Sequence, residues 1–231
     1  MRGSLEGTGD APVNLHVLLV EGDSKGEQLS MWQHLAGQGC SVRAIHDSFL
    51  AASAAQDEWP DLVVVNACSQ LADLSVMWAE LERSNLDLPL LVVSDSETPI
   101  APCASDHLPV PFTSRRLAYR VKRAVGSQPG RFLRAGDICV DTLKRNVKCR
   151  GHVLHLTPKE LGLLSLLMAH AGEQVSRREI MKQVWDTDYI GDTRTLEVHI
   201  RWLRCKLEDD PKRPKHILTA RGQGYRFELL T

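Results

Sequence analysis

The hydrophobic pattern changes its period once along the chain. From Asn14 to Gly126, the apolar runs LHVLLV, SVRAI, DLVVVN (ending at Asn66) and LLVVS (ending at Ser94) alternate with stretches of helical spacing, about Ser24–Gly37, Ser48–Asp57 and Asp73–Ser84. A short strand near Leu108 and a closing helix over Thr113–Val125 complete the series. Short apolar strands separated by helices predict a parallel sheet covered on both faces. In such sheets chemistry gathers at the carboxyl ends of the strands. The residues at those ends are Glu21, Gly22 and Asp23, then Asn66, then Ser94, then Val110-Pro111-Phe112.

After the polar break SQPG at 127–130 the pattern becomes antiparallel, with RFLRAGDICVD, RNVKCR and HVLHLT reading as short strands joined by tight turns. TPKE and SRRE follow as two capping boxes, with Thr157 and Ser176 as N-caps and Glu160 and Glu179 three residues on. Val175 and Ile180 can staple the second helix start. The first helix sets Leu161, Leu164, Leu167 and Met168 at core spacing, the second Ile180, Met181, Val184 and Trp185. An acidic loop, DTDYIGDT, leads to a third helix over Thr193–Leu207, capped by Asp192 or Thr193. Its Leu196, Ile200, Leu203 and Leu207 form one stripe, while Arg194, Val198, Arg201, Trp202 and Cys205 point away from it. Strands HILTA and YRFELL then flank the turn Arg221-Gly222-Gln223-Gly224. The expected division is a disordered leader over 1–13, an α/β domain over 14–126, a linker over 127–130 and an α+β domain over 131–231.

Composition narrows the picture. A chain of 231 residues, 43% hydrophobic and 25% charged, can fill two separate cores. The sequence contains neither a membrane-length apolar run nor a signal-peptide centre, so a cytoplasmic protein without a membrane partner is expected. The six cysteines show no paired ligand spacing, and reduced thiols with no metal and no cofactor follow. From Ser127 onward there are 19 Lys and Arg against 13 Asp and Glu; the preceding residues have 9 against 16. Only the second half suits a polyanion. No nucleophile–base pair or phosphate loop is present, which argues against an enzyme.

The segments LLVEGD, PDLVVVN, VVS and VPF resemble the receiver domain of bacterial response regulators, which implies a flavodoxin-like (βα)5 fold for the first half. The run from LTPKEL through RTLEVHIRWLRCKL to TARGQGYRF is similar to the winged helix-turn-helix effector domain of OmpR/PhoB-type transcription factors. That resemblance implies a sequence-specific DNA-binding regulator that reads direct repeats in double-stranded DNA. The helix at 193–207 would enter the major groove through Arg194, Thr195, Val198, His199, Arg201, Trp202 and Arg204, with Arg221 in the minor groove. It also implies RNA polymerase contact through Asp186, Asp188, Tyr189 and Asp192, and a homodimer formed through the receiver domain.

The first half departs from its family at the residues that carry chemistry. The phosphoacceptor aspartate is Asn66, whose amide cannot attack phosphorus. A magnesium-ligand acid is Gly22, the lysine is Val110, and His107 stands at the aromatic switch, leaving Glu21, Asp23 and Ser94 of the usual parts. Between Ser94 and Val110 the chain is short, so the fourth helix should be truncated around Pro99 and Pro102. Control without phosphorylation is therefore expected. The alternative is a degenerate pocket at Glu21, Gly22, Asp23, Asn66, Ser94 and Val110 that senses a small ligand, a protein partner or, through Cys68, Cys103 or Cys205, redox state. In the effector half, Trp202 replaces a residue that is usually Arg or polar, and an indole cannot make a bidentate contact to guanine.

Overall fold

Alternating side chains of β1 (His16–Glu21) face two different cores, and this organises the first unit. Val17 and Leu19 pack with Met31, Leu35, Leu117 and Val121 on one face of the sheet. Leu18 and Val20 pack with Ala51, Ala55, Met77 and Trp78 on the other. A strand apolar on both faces can sit only in the middle of such a sandwich, as the unbroken run required. The structure is a computed structural model that describes residues 15–22, 31–69, 71, 73–84, 86–95, 103–126, 130–188 and 194–229. The chain divides into two units between Pro129 and Gly130.

In the first unit β1 is followed by α1 (Met31–Ala36), β2 (Ser41–Ile45), α2 (Ala51–Glu58), β3 (Leu62–Asn66), α3 (Leu74–Arg83), β4 (Leu90–Ser94), β5 (Asp106–Pro109) and α4 (Ser114–Val125). The sheet runs β2-β1-β3-β4-β5 with all pairs parallel, a flavodoxin-like receiver fold. Register sets Glu21 beside Asn66, Asn66 beside Val93, and Ser94 beside Pro109. The carboxyl ends therefore meet at one edge. Thr113 caps α4 by accepting from Arg116 N. The expected leader over 1–13, the start of the first helix, the fourth helix around Pro99 and Pro102, and linker residues 127–129 lie outside the described residues.

The second unit opens with an antiparallel sheet of β6 (Phe132–Ala135), β7 (Ile138–Asp141), β8 (Asn146–Cys149) and β9 (His152–His155). Arg150 and Gly151, with φ of 52° and 76°, make the last of its tight turns. Arg131 and Asp141 form a buried pair, with Nη2 to Oδ2 at 2.7 Å and Nε to Oδ1 at 3.1 Å. Next come α5 (Pro158–Ala169), β10 (Gln174–Ser176), α6 (Arg177–Trp185) and α7 (Arg194–Leu207), then β11 (Ile217–Ala220) and β12 (Gly224–Phe227).

The predicted capping box at Thr157 is complete: Glu160 N donates to Thr157 Oγ1 at 3.3 Å, and Thr157 N donates to Glu160 Oε2 at 2.7 Å. The second box forms only half. Ser176 Oγ accepts from Glu179 N, but the Glu179 carboxylate accepts from Gln183 Nε2 instead of returning to the cap. The core stripe of α5 also differs from expectation, because Leu163 is fully buried while Leu161 is only partly so. Residues 174–176, among them the staple residue Val175 and the cap Ser176, also pair antiparallel with β12 and make a three-stranded sheet, β10-β12-β11. Gly224 allows this pairing, since a Cβ there would come within 2.0 Å of the Val175 carbonyl oxygen.

Candidate nucleic-acid interface

Helix α7 is held from behind at several points. Leu196, Ile200, Leu203 and Leu207 are all buried in the core of the second unit, as their spacing predicted. Lys206 Nζ reaches back to Glu160 Oε2 at 2.7 Å and to the His155 carbonyl at 2.9 Å. Burial of Glu160 favours its neutral form, but the Lys206 and Thr157 hydrogen bonds and the Lys206 charge outweigh this and hold its pKa below the usual value. Arg177, at the start of α6, donates Nη1 to Glu197 Oε1 at 3.1 Å and stacks over the Tyr225 ring at 5.3 Å. Its backbone N–H donates to the Gln223 carbonyl, so α6, α7 and the hairpin share one residue.

Arg204 belongs to this frame. Its Nε and Nη2 donate to the Ile217 carbonyl at 3.0 and 2.7 Å, and Nη2 also donates to Thr219 Oγ1 at 2.8 Å. A guanidinium engaged this way positions β11 against α7. Arg204, expected to contact a base or phosphate, commits Nε and Nη2 to these internal bonds.

The outward side of α7 is left open. Arg194, Thr195, Val198, Arg201, Trp202 and Cys205 are exposed. His199 is half-buried, with Nδ1 donating to the Thr195 carbonyl at 2.8 Å. Its ring stands edge-on between Trp185, at 5.1 Å, and Trp202, at 5.0 Å. Lys159 lies beyond Trp185, with Nζ 5.7 Å from that ring and bonded to the Val184 carbonyl. The row joins three residues that the sequence places on two separate helices. Arg221 is exposed in the β11–β12 turn, where Gly222 takes φ of 75°. Asp186 ends α6 in a left-handed conformation, and Asp188 lies 3.9 Å from Arg178. Tyr189 and Asp192, expected in the same loop, lie outside the described residues.

Among the described residues, polar groups at the carboxyl edge of the first unit bond to one another. Glu21 is buried, and its carboxyl pKa is raised by burial, against a hydrogen bond from the Asn66 side chain and the charge of His46. Gly22 N donates to Ser69 Oγ at 2.8 Å, and Ser69 Oγ donates to the Asn66 carbonyl. His46 Nδ1 donates to the Glu21 carbonyl at 2.9 Å. Ser94 is fully buried, with Oγ 2.6 Å from His107 Nε2. Val110 is partly exposed, and its N–H donates to the Ser94 carbonyl. Asp23 lies outside the described residues.

Glu21 is engaged by Asn66, Gly22 has no side-chain oxygen, and the described residues contain no cluster of three or more acidic, His or Cys side chains able to hold a metal. Of the cysteines in the redox alternative, Cys68 is exposed and Cys103 partly buried. Burial raises the thiols of Cys68 and Cys103, with Asp95 and Glu82 adding to it. Cys103 lies with Leu88 and Leu90 at the amino end of β4, away from Ser94. Among the described residues no helix is long and apolar enough to cross a membrane.

A three-helix unit with an outward last helix and a two-stranded hairpin beside it is a winged helix-turn-helix. Residues 151–227 match the family described as "Transcriptional regulatory protein, C terminal". The chain is 39% identical over 155 residues to a probable transcriptional regulatory protein of Picosynechococcus, with 61% of each covered. It is 32% identical over 161 residues to sensory transduction protein RegX3 of Mycolicibacterium smegmatis, covering 63% of this chain and 70% of that one. Response regulator DrrB of Thermotoga maritima, an OmpR/PhoB homologue, is 22% identical, covering 93% of this chain and 99% of that one with a TM-score of 0.42. The chain belongs to the OmpR/PhoB-type response-regulator family, whose members are transcriptional regulators and not enzymes.

Proposed function

We propose that this protein is a cytoplasmic, sequence-specific regulator of transcription that binds double-stranded DNA through α7 and Arg221 without being switched by phosphorylation. The observation that carries this reading is α7 itself. It is fixed from behind by Lys206, Arg204 and four buried apolar residues, and it presents Arg194, Thr195, Val198, Arg201 and Trp202 outward. His199 supports Trp202 from the side. The reading takes 14–126 as the receiver-like domain and 131–231 as the effector, joined through 127–130. It includes paired binding to direct repeats as a homodimer through the receiver-like domain, and polymerase contact through the loop holding Asp186, Asp188, Tyr189 and Asp192.

Phosphorylation independence rests on Asn66, Gly22 and Val110, and on a carboxyl edge whose polar groups bond to one another. That self-satisfaction also disfavours a small-ligand site there, since an incoming ligand would first have to break those bonds. The test is titration of the purified chain against DNA fragments recovered by genome-wide mapping, with and without acetyl phosphate and magnesium. Equal affinity and an unchanged intact mass are expected. A phosphoryl adduct accompanied by tighter binding would overturn the reading.

A further inference from the structure

The outward side of α7 is not uniformly cationic. At about 100° per residue, Val198, Trp202 and Cys205 fall within about 60° of one another, opposite the buried stripe. All three are exposed, Val198 at 41% and Trp202 at 47%. The methyl-bearing Thr195 borders this strip on one side, and Arg194 and Arg201 border it on the other. The most protruding line of the helix therefore offers mainly carbon and sulfur, with the indole N–H of Trp202 as its one strong donor and charge only along its flank. The indole is also oriented, because the His199 ring meets it edge-on at 5.0 Å and is itself fixed by the Thr195 carbonyl. A large apolar surface held ready in one pose loses less entropy on contact than a mobile one.

We infer that Trp202, supported by His199 and continued by Val198, selects thymines in the major groove by contact with their C5-methyl groups. This deepens the DNA-binding reading above and rests on it. In the major groove only thymine presents an apolar group; every other base-edge feature asks for a hydrogen-bond donor or acceptor. At its crest the strip on α7 has no strong acceptor and one strong donor, the Trp202 indole N–H, so most of what it can offer a base edge is apolar contact. The cations on its flank suit phosphates, which position the helix without reading sequence.

The probe is a duplex selected from a random pool by the full-length protein, then remade with each thymine replaced in turn by deoxyuridine. That change removes one methyl group and keeps every pairing and groove hydrogen-bond group. Each methyl buried by the strip is worth about fourfold in affinity. The wild-type protein should lose about that factor at one or two adjacent positions and nothing elsewhere. Trp202→Ala should bind the parent duplex more weakly and show no deoxyuridine penalty at those positions. Trp202→Arg should move the preference there towards guanine. Uniform tolerance of deoxyuridine by the wild type, or an undiminished penalty in Trp202→Ala, overturns this inference while DNA binding stands. Failure to enrich any duplex overturns the DNA-binding reading itself.

Discussion

Two carboxyl groups, Glu21 in the receiver-like unit and Glu160 in the winged helix, are both buried, yet their pKa values move in opposite directions. Burial acts on each in the same sense. At Glu160, Lys206 and the Thr157 cap supply charge and hydrogen bonds that more than reverse it; at Glu21 the Asn66 side chain and His46 do not. Among the described residues no Lys or Arg pairs with Glu21, and Val110 stands where the family has its lysine. The effector unit builds its buried charges into the frame that aims α7. The receiver-like unit holds a buried carboxyl group with no Lys or Arg beside it among the described residues.

The largest test of that contrast is the Arg131–Asp141 pair of the effector unit. Asp141→Ala takes the carboxylate away from a buried guanidinium and should cost about 3–5 kcal/mol. Hydrogen exchange of the intact chain, followed separately in peptides from each unit, should show loss of protection in 130–231 and none in 15–126. A loss below about 1 kcal/mol, the range of an exposed ion pair, would mean that this pair contributes no more than a surface one.

A smaller effect comes from making one chemical change in both places. Glu160→Gln removes the charge that Lys206 meets at 2.7 Å and should destabilise the effector unit by about 1–3 kcal/mol. Glu21→Gln keeps an amide to bond Asn66 while removing an ionisable group from a buried position, so at neutral pH it should stabilise the receiver-like unit. Destabilisation by both changes would erase the comparison. Acid titration checks the same point. The raised Glu21 holds its proton longer folded than unfolded, so its contribution is full below the ordinary value of 4.5 and is lost as pH rises through its folded pKa. The lowered Glu160 contributes fully above 4.5, and that stability is lost as pH falls through its own folded pKa. Acidification should therefore loosen exchange in the effector unit first.

What the sequence made legible follows the same division between frame and surface. The alternation of strands and helices, the complete cap at Thr157 and the buried stripe of α7 rest on local period and spacing, which one chain carries in full. Strand β10 has only three residues, and its partner lies some fifty positions away, so no local pattern announces it. Arg204 was legible as a cation on the DNA-facing helix. That its guanidinium turns back to Ile217 depends on where β11 packs, which spacing cannot give. The Trp185–His199–Trp202 row joins two helices and was hidden for the same reason. At the carboxyl edge, the missing acceptor and lysine could be read directly from Asn66 and Val110. The pairing of Ser94 with His107 at that edge could not.

Arg201 tests the surface side of the comparison with a milder change. It is exposed on the flank of α7, so Arg201→Ala should weaken binding to all duplexes alike and lower the magnitude of the salt-dependence slope by about 1. Arg204→Ala should act differently, since its hydrogen bonds are internal: protection of 217–219 should fall together with affinity. An Arg204→Ala protein with unchanged exchange and a reduced salt slope would restore the guanidinium to the DNA.

The smallest effect is expected where the family would predict the largest. Asn66→Asp restores the missing acceptor, yet the rest of the site would still be wrong for phosphoryl transfer. Gly22 offers no oxygen to a magnesium ion, Val110 no charge to the transferred group, and Ser94 is already bonded to His107. The new carboxylate would also lie against Glu21, whose register partner it is, and two carboxyl groups in one buried place cannot both ionise cheaply. The variant should take up no phosphoryl group from acetyl phosphate by intact mass, and its DNA affinity should change by less than about twofold, within about 0.4 kcal/mol. Its receiver-like unit should instead lose stability as pH rises, more steeply than the wild type, because Glu21 would hold its proton still longer when folded. Stoichiometric phosphorylation of Asn66→Asp with tighter binding would show that this edge lacks only its acceptor.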